Sequence, residues 1–331
     1  MTHPAPETAG ERRRRRLRRL REELLDADVP IDLDGASGEA LIEELDYARF
    51  PHTHEGVSPV FGALIVPDEV IDPARLGFPA LVEITDIDHD VVRRLADGRT
   101  SFIARHDHGV VALVSFDRTI EHEATAVQVA TSAGITVVQR QYTGSIRVFA
   151  PNAVITWDGA RWWSKPLASQ LARTIRAARP ELLSPVLDGL TEFCVHWLSA
   201  GRVGALLVWQ TEGTGSPSHL GVRASVAIPP LEMTERQHYA ALRNALAQTD
   251  RAALVSPGGR VDRIGVALRW SEEAVAVVPA YRGTRHTSAR RFSRDEPSAV
   301  VFAVSSAGPV SVLHGGEIIS VATTTPPGDT D

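Results

Sequence analysis

The stretch from Tyr281 to Phe292, YRGTRHTSARRF, sets a Gly-Thr turn, an Arg-His pair, small hydroxyl residues and two further arginines into a chain whose formal charge is −6. A Gly-Thr turn feeding a helix turns backbone N–H groups and the positive end of the helix dipole toward one point, so Gly283 and Thr284 offer donors to an anion. Arg285 adds a planar fork that holds two phosphate oxygens in fixed geometry. Of the 35 basic residues a single one, Lys165, is lysine, so a phosphate-handling site in this chain rests on arginine rather than on the lysine of a Walker-type loop. Taken alone, the letters GTRH describe an ordinary surface turn as readily as a site.

The surrounding elements decide what such a turn can serve. With 331 residues and 43% hydrophobic content the chain exceeds one average domain, and two domains are expected. Residues 1–36 read as an arm, disordered at its start and then a basic helix across Arg12–Arg21, whose polarity opposes the helix dipole. That run suits a partner surface or nucleic acid, or is simply solvated. Residues 37–164 read as a mixed α/β domain: a Ser-capped helix at SGEALIEELD, strands at VFGALIVP, SFIAR, GVVALVSF, GITVVQR and SIRVFAPNAVITW, and helices at DHDVVRRLAD and TIEHEATAVQVATSA. Residues 165–185 begin a pair of helices split at Pro180 and are expected to connect the domains. Residues 186–322 repeat the mixed pattern, with strands at VGALLVW, AALVS, RVDRIGVALRW, SAVVFAVS and VSVLHGG, and residues 323–331 are too polar to pack. The fold class is therefore α/β (α+β): two mixed domains, the second a mixed sheet flanked by helices.

Composition narrows the function classes. The net acidic charge argues against a whole-molecule footprint for nucleic acid, and any polyanion site must be local. One cysteine, Cys194 within LTEFCVHWL, allows neither an internal disulfide nor a thiolate zinc site, and reads as a core residue. No apolar run approaches the ~20 residues of a membrane span, so a cytoplasmic protein without membrane contact is expected. The histidines of HTH (52–54) and RHDHG (105–109), with His89, His122 and Glu123, invite a metal reading, but no HExxH-type spacing supports it.

Four segments in order, LSAGRVGALLV (198–208), TDRAALVSPGGRVDRIGVAL (249–268), RGTRHTSA (282–289) and SAVVFAVSSAGPVSVLHGGEI (298–318), resemble the diadenylate cyclase domain family over roughly residues 186–320. The resemblance implies condensation of two ATP molecules into cyclic di-AMP by a face-to-face homodimer or higher oligomer, with Mg²⁺ or Mn²⁺ as cofactor. It places the family's metal-binding aspartate on Asp250 and its triphosphate-gripping Arg-His on Arg285 and His286. Arg251, Ala252, Leu268, Gly283, Thr284, Thr287, Ser288 and Ser305 fall on positions lining the nucleotide pocket. Read physically, Asp250 sits between a helix and a strand, where one hard carboxylate ligand suffices if substrate phosphates complete the shell. The hairpin TGSIRVFAPNAVITWDGARWW resembles sensor-type domains found ahead of such cyclases, implying regulation by the first domain.

The sequence departs from the family pattern where Arg251 replaces a glycine, where Thr287 replaces an arginine, and where Ser305-Ser306-Ala307 replaces a Ser-Glu-Glu triplet. Arg290 and Arg291, about one helical turn on, are candidates to replace the lost guanidinium. A catalytically degenerate sensor of nucleotides or cyclic dinucleotides is the alternative these departures favour.

Overall fold

The computed structural model describes residues 7–51, 53, 55, 58–67, 71–85, 87–105, 111–212, 219–221, 226–280 and 283–323. The chain divides into two compact units between Lys165 and Pro166, both of mixed α/β architecture.

The first unit runs α1 (Ala9–Asp26), α2 (Gly35–Arg49), β1 (Phe61–Ile65), β2 (Ala80–Thr85), α3 (His89–Leu95), β3 (Ser101–Arg105), β4 (Val111–Phe116), α4 (Glu123–Ala133), β5 (Thr136–Arg140), β6 (Ile146–Ala150), β7 (Ala153–Trp157) and β8 (Trp162–Pro166). Its sheet has the order β2-β4-β3-β1-β5-β6-β7-β8, with β1 and β3 parallel. The N-terminal run is not a detached arm. Thr8 and Glu11 form a capping box that starts α1, and Leu20 and Leu24 bury themselves in the core with Leu41, Leu45 and Ile42 of α2. Arginines that oppose the helix dipole meet nearby acids: Arg16 Nη2 donates to Asp46 Oδ2 at 2.6 Å, and Arg15 pairs with Glu7 at 3.0 Å.

Beneath α2 lies a buried ionic cluster. Glu44, fully buried, accepts from Arg93 Nε at 2.9 Å and Nη2 at 2.7 Å, and from Arg105 Nη1 at 2.7 Å. Arg93 also bonds Asp90, and Arg105 also bonds Glu43, so each guanidinium has a second acid. A carboxylate in this position is stable only because it is paired and hydrogen-bonded on both oxygens. The chain's lone lysine closes the unit: Lys165 on β8 meets Glu123 of α4 at 2.5 Å, both buried. His52, His54, His106 and His108 lie outside the described residues, and among the described residues no group of His, Cys, Asp or Glu is arranged to hold a metal ion.

The second unit runs α5 (Ala168–Ala178), α6 (Pro185–Glu192), β9 (Ala205–Gln210), β10 (Leu220–Gly221), β11 (Val226–Glu232), α7 (Tyr239–Ala247), β12 (Ala252–Val255), β13 (Arg260–Leu268), α8 (Glu272–Val277), α9 (Thr284–Asp295), β14 (Ala299–Val304), β15 (Val310–His314) and β16 (Glu317–Ala322). The strand order is β10-β13-β12-β9-β14-β15-β16, with β11 also on β13, and β9 and β12 parallel. Strand alternation sends Leu207, Trp209, Ala253, Phe302 and Val312 to one face under α5, α6 and α7. Leu206, Val208, Ala252, Val301 and Leu313 face the other way, against Ala289 and Phe292 of α9. Helix α5, expected within a connector, is instead part of this core, because Leu171 and Ile175 pack with Leu187 and Leu190 of α6. Helix α6 passes into a π-helical turn, Phe193–Ser199, that buries Cys194, whose thiol pKa burial pushes up. Among the described residues no helix is long and apolar enough to cross a membrane.

Candidate functional site

Strand register gathers distant segments at one end of the second sheet. Ala252 on β12 lies beside Leu206 on β9, so Asp250 and Arg251, just ahead of β12, stand next to Gly204, just ahead of β9. Strand β14 runs antiparallel on the other side of β9, with Val304 opposite Ala205, and delivers Ser305 to the same end. Strand β13 pairs Val266 with Ala252, so Leu268 emerges there too.

A cleft of about 370 Å³ opens at this end. Arg202, Val203 and Gly204 line it from the approach to β9, and Gln248, Thr249 and Asp250 from the end of α7. Arg285, from the first turn of α9, completes it. Helix α9 starts where Gly283 takes φ +89°, a left-handed conformation suited to glycine, and where the Thr287 N–H donates to the Gly283 carbonyl at 3.2 Å. That start aims Arg285 at the strand ends. A Cβ added to Gly204 would stand 2.4 Å from Arg285 Nη1, so the absence of a side chain there is what admits the guanidinium. Asp250 and Arg285 are both exposed, and among the described residues neither side chain makes a hydrogen bond or ion pair, with each other included. A carboxylate and a guanidinium facing one cleft while unpaired are available to a ligand that carries both a cation and phosphates.

The other predicted residues divide by position. His286 does not line the cleft: it is half-buried, its Nε2 lies 3.1 Å from Ser311 Oγ on β15, and burial, followed by the charge of Arg285, holds its pKa below 6.5. The ring thus ties α9 to the sheet. Thr287 spends its hydroxyl on the Gly283 carbonyl at 3.1 Å. Ala252 is fully buried, and Leu268 packs against the cluster under α9. Gly283 and Thr284 are exposed at the helix start, Ser288 is half-buried one turn in, and Ser305 Oγ accepts from the Ala307 N–H at 3.2 Å to shape the β14–β15 turn. Arg251 is exposed at φ +79° and is not among the residues lining the cleft. Arg290 and Arg291 do not supply the missing guanidinium to the cleft, since their Nε atoms donate to the carbonyls of Gly316 and Val278 at 3.2 Å. Tyr281 and Arg282 lie outside the described residues.

Sequence reasoning passed over Arg202 and Gly204. The signal available was the paired glycines of AGRVG directly before an apolar strand, a pattern that marks close backbone approach.

Residues 193–318 match the family model "DisA bacterial checkpoint controller nucleotide-binding" (DAC), and residues 19–166 match "Probable sensor domain DACNK". No curated protein matches the chain at a significant level. Among solved structures, the hypothetical membrane spanning protein from Bacillus cereus is similar at 21% identity over 46% of this chain and 71% of its own, with a TM-score of 0.35, a likeness that bears on neither chemistry nor assembly.

Proposed function

Because the chain belongs to the DAC family and carries a DACNK-type sensor domain ahead of its DAC nucleotide-binding domain, we propose that it is a diadenylate cyclase whose output the first unit regulates. The observation that carries this reading is the convergence of Asp250 and Arg285, unpaired, on one cleft. Phosphoryl and nucleotidyl transfer ask little covalent help of a protein and depend on positioning and charge neutralisation. Arg285 holds phosphate oxygens of ATP through its fork, and the N–H groups at the start of α9 face the same anion. His286 keeps α9, and with it Arg285, in place through Ser311.

Among the described residues Asp250 is the one carboxylate lining the cleft, so it fits Mg²⁺ or Mn²⁺ only as a single-point ligand, with substrate phosphates and water completing the shell. When bound, such an ion supplies Lewis-acid neutralisation of phosphate charge and lowers the pKa of an attacking hydroxyl. Ring closure requires two nucleotides, each 3′-oxygen attacking the other's α-phosphorus. Two phosphodiester bonds form, two pyrophosphates leave and the hydroxyl protons pass to solvent. A single cleft cannot present both partners, so the active species is a symmetric dimer whose isologous contact passes through the cleft.

The test is incubation of the purified chain with ATP and either Mg²⁺ or Mn²⁺, with chromatographic separation of products. Cyclic di-AMP is expected from the wild type, is expected to vanish in Asp250→Asn, and is expected to fall at least tenfold in Arg285→Ala. The β14–β15 turn, which carries Ser305, Ser306 and Ala307 and no acid, favours a second reading as a nucleotide sensor. Absence of product with either metal, together with saturable ATP binding that Arg285→Ala abolishes, would replace the cyclase with that sensor.

A further inference from the structure

The five residues Ala200-Gly201-Arg202-Val203-Gly204 join the π-helical turn to β9, and guanidinium groups press on both glycines. Arg243 of α7 covers Gly201, where a Cβ would stand 2.5 Å from its Nε and 2.6 Å from its Nη2. Arg285 covers Gly204 in the same manner. Between them Arg202, an exposed residue that lines the cleft, adopts φ +54°, a left-handed conformation unfavourable for a residue with a Cβ.

Among the described residues the side chain of none of these three arginines makes a hydrogen bond or an ion pair, and Asp250 is the sole acid lining the cleft. By contrast, the buried pair Arg93 and Arg105 shares Glu44. Arg202 and Arg285 share the cleft with that single acid, Asp250, so its lining carries a net positive charge that an anionic ligand neutralises. A cleft of about 370 Å³ has room for the phosphate chain of a nucleotide.

We propose that Arg202 is a second phosphate-binding residue, forming with Arg285 a two-sided grip on a polyphosphate chain; that the chain belongs to ATP rests on the cyclase reading above. Arg202 stands in for the guanidinium lost at Thr287, from a different element: the approach to β9 rather than α9.

Calorimetry on the full chain, with inorganic tripolyphosphate, ATP and adenosine as probes, tests the assignment. Arg202→Gln is expected to weaken tripolyphosphate and ATP by about tenfold or more, the loss of one charge-assisted contact, while adenosine binding is unchanged. Arg202→Lys is expected to fall between, because it keeps charge without the fork, and Arg173→Gln on the exposed face of α5 is expected to match the wild type. If Arg202→Gln is unfolded by circular dichroism, Arg202→Gly, compatible with the left-handed backbone, replaces it. Wild-type affinity for tripolyphosphate in a folded Arg202 variant, or no tripolyphosphate binding by the wild type, overturns the assignment. Arg202-dependent tripolyphosphate binding without any cyclic product would instead keep the grip and remove the cyclase.

Discussion

Arg251 occupies a backbone conformation, φ +79°, that its side chain makes unfavourable, at the position where the family pattern has glycine. The left-handed region costs a non-glycine residue ~1 kcal/mol, so Arg251→Gly is expected to raise the unfolding free energy by about that much, read from urea denaturation. A lower midpoint would mean that contacts of the Arg251 side chain outweigh the strain. His286 gives a second prediction. Its folded pKa lies below 6.5, through burial first and the neighbouring Arg285 second, so just below pH 6.5 the unfolded chain binds more protons than the folded one. The stability His286 contributes is therefore complete above that pH and is lost as pH falls toward the folded pKa. Thermal melts between about pH 7.5 and 5.5 are expected to show a decline that is smaller in His286→Gln, which titrates nowhere in that range. Equal declines in the two proteins would remove His286 as the source.

At the scale of elements, the ionic cluster under α2 joins three segments that the sequence separates widely: α2, α3 and the end of β3. Glu44→Ala would leave Arg93 and Arg105 buried with one acid each, and a loss of about 3–5 kcal/mol is expected from denaturant unfolding. A loss under about 1 kcal/mol would mean that Asp90 and Glu43 take over the pairing. None of this cluster was legible in the sequence, because helical spacing identifies α2 but not which acid lies beneath it. Strands β1, β3 to β7, β9 and β12 to β15 were legible as apolar runs, since each is buried on at least one face. Strand β2 was not, because it is an outer strand whose Leu81 and Ile84 are 61% and 72% exposed, without the alternation that marks a half-buried strand. Strand β11 hid behind Pro229 and Pro230, which it accommodates at a register shift between Ala227 and Leu231, where a ladder donor is not needed. In the site, Asp250 and Arg285 were expected from the family resemblance, and the structure brings both to one cleft. For Arg202 the paired glycines of AGRVG signal only a close backbone approach, and its sharing of a cleft with Arg285 follows from how β9, β12 and α9 are assembled, which no local pattern records.

At the scale of the whole molecule, the two units match separate families and carry separate cores, so a nucleotide bound in the second can be followed without reference to the first. The feature that makes this practical is Cys194. It is the only thiol, it has no exposure in the π-helical turn, and its pKa is raised, so alkylating reagents reach a reactive thiolate only when the second unit opens. Alkylation is then a stopwatch for opening. A ligand bound only to the closed form slows it by the factor 1 + [L]/Kd, and ATP at about a hundred times its dissociation constant is expected to slow labelling about a hundredfold. Labelling at an unchanged rate would mean that Cys194 is reached by a local motion that leaves the cleft intact. The chain thus carries a built-in reporter of nucleotide occupancy that works whether or not turnover occurs, through a sulfur atom that takes no part in the chemistry.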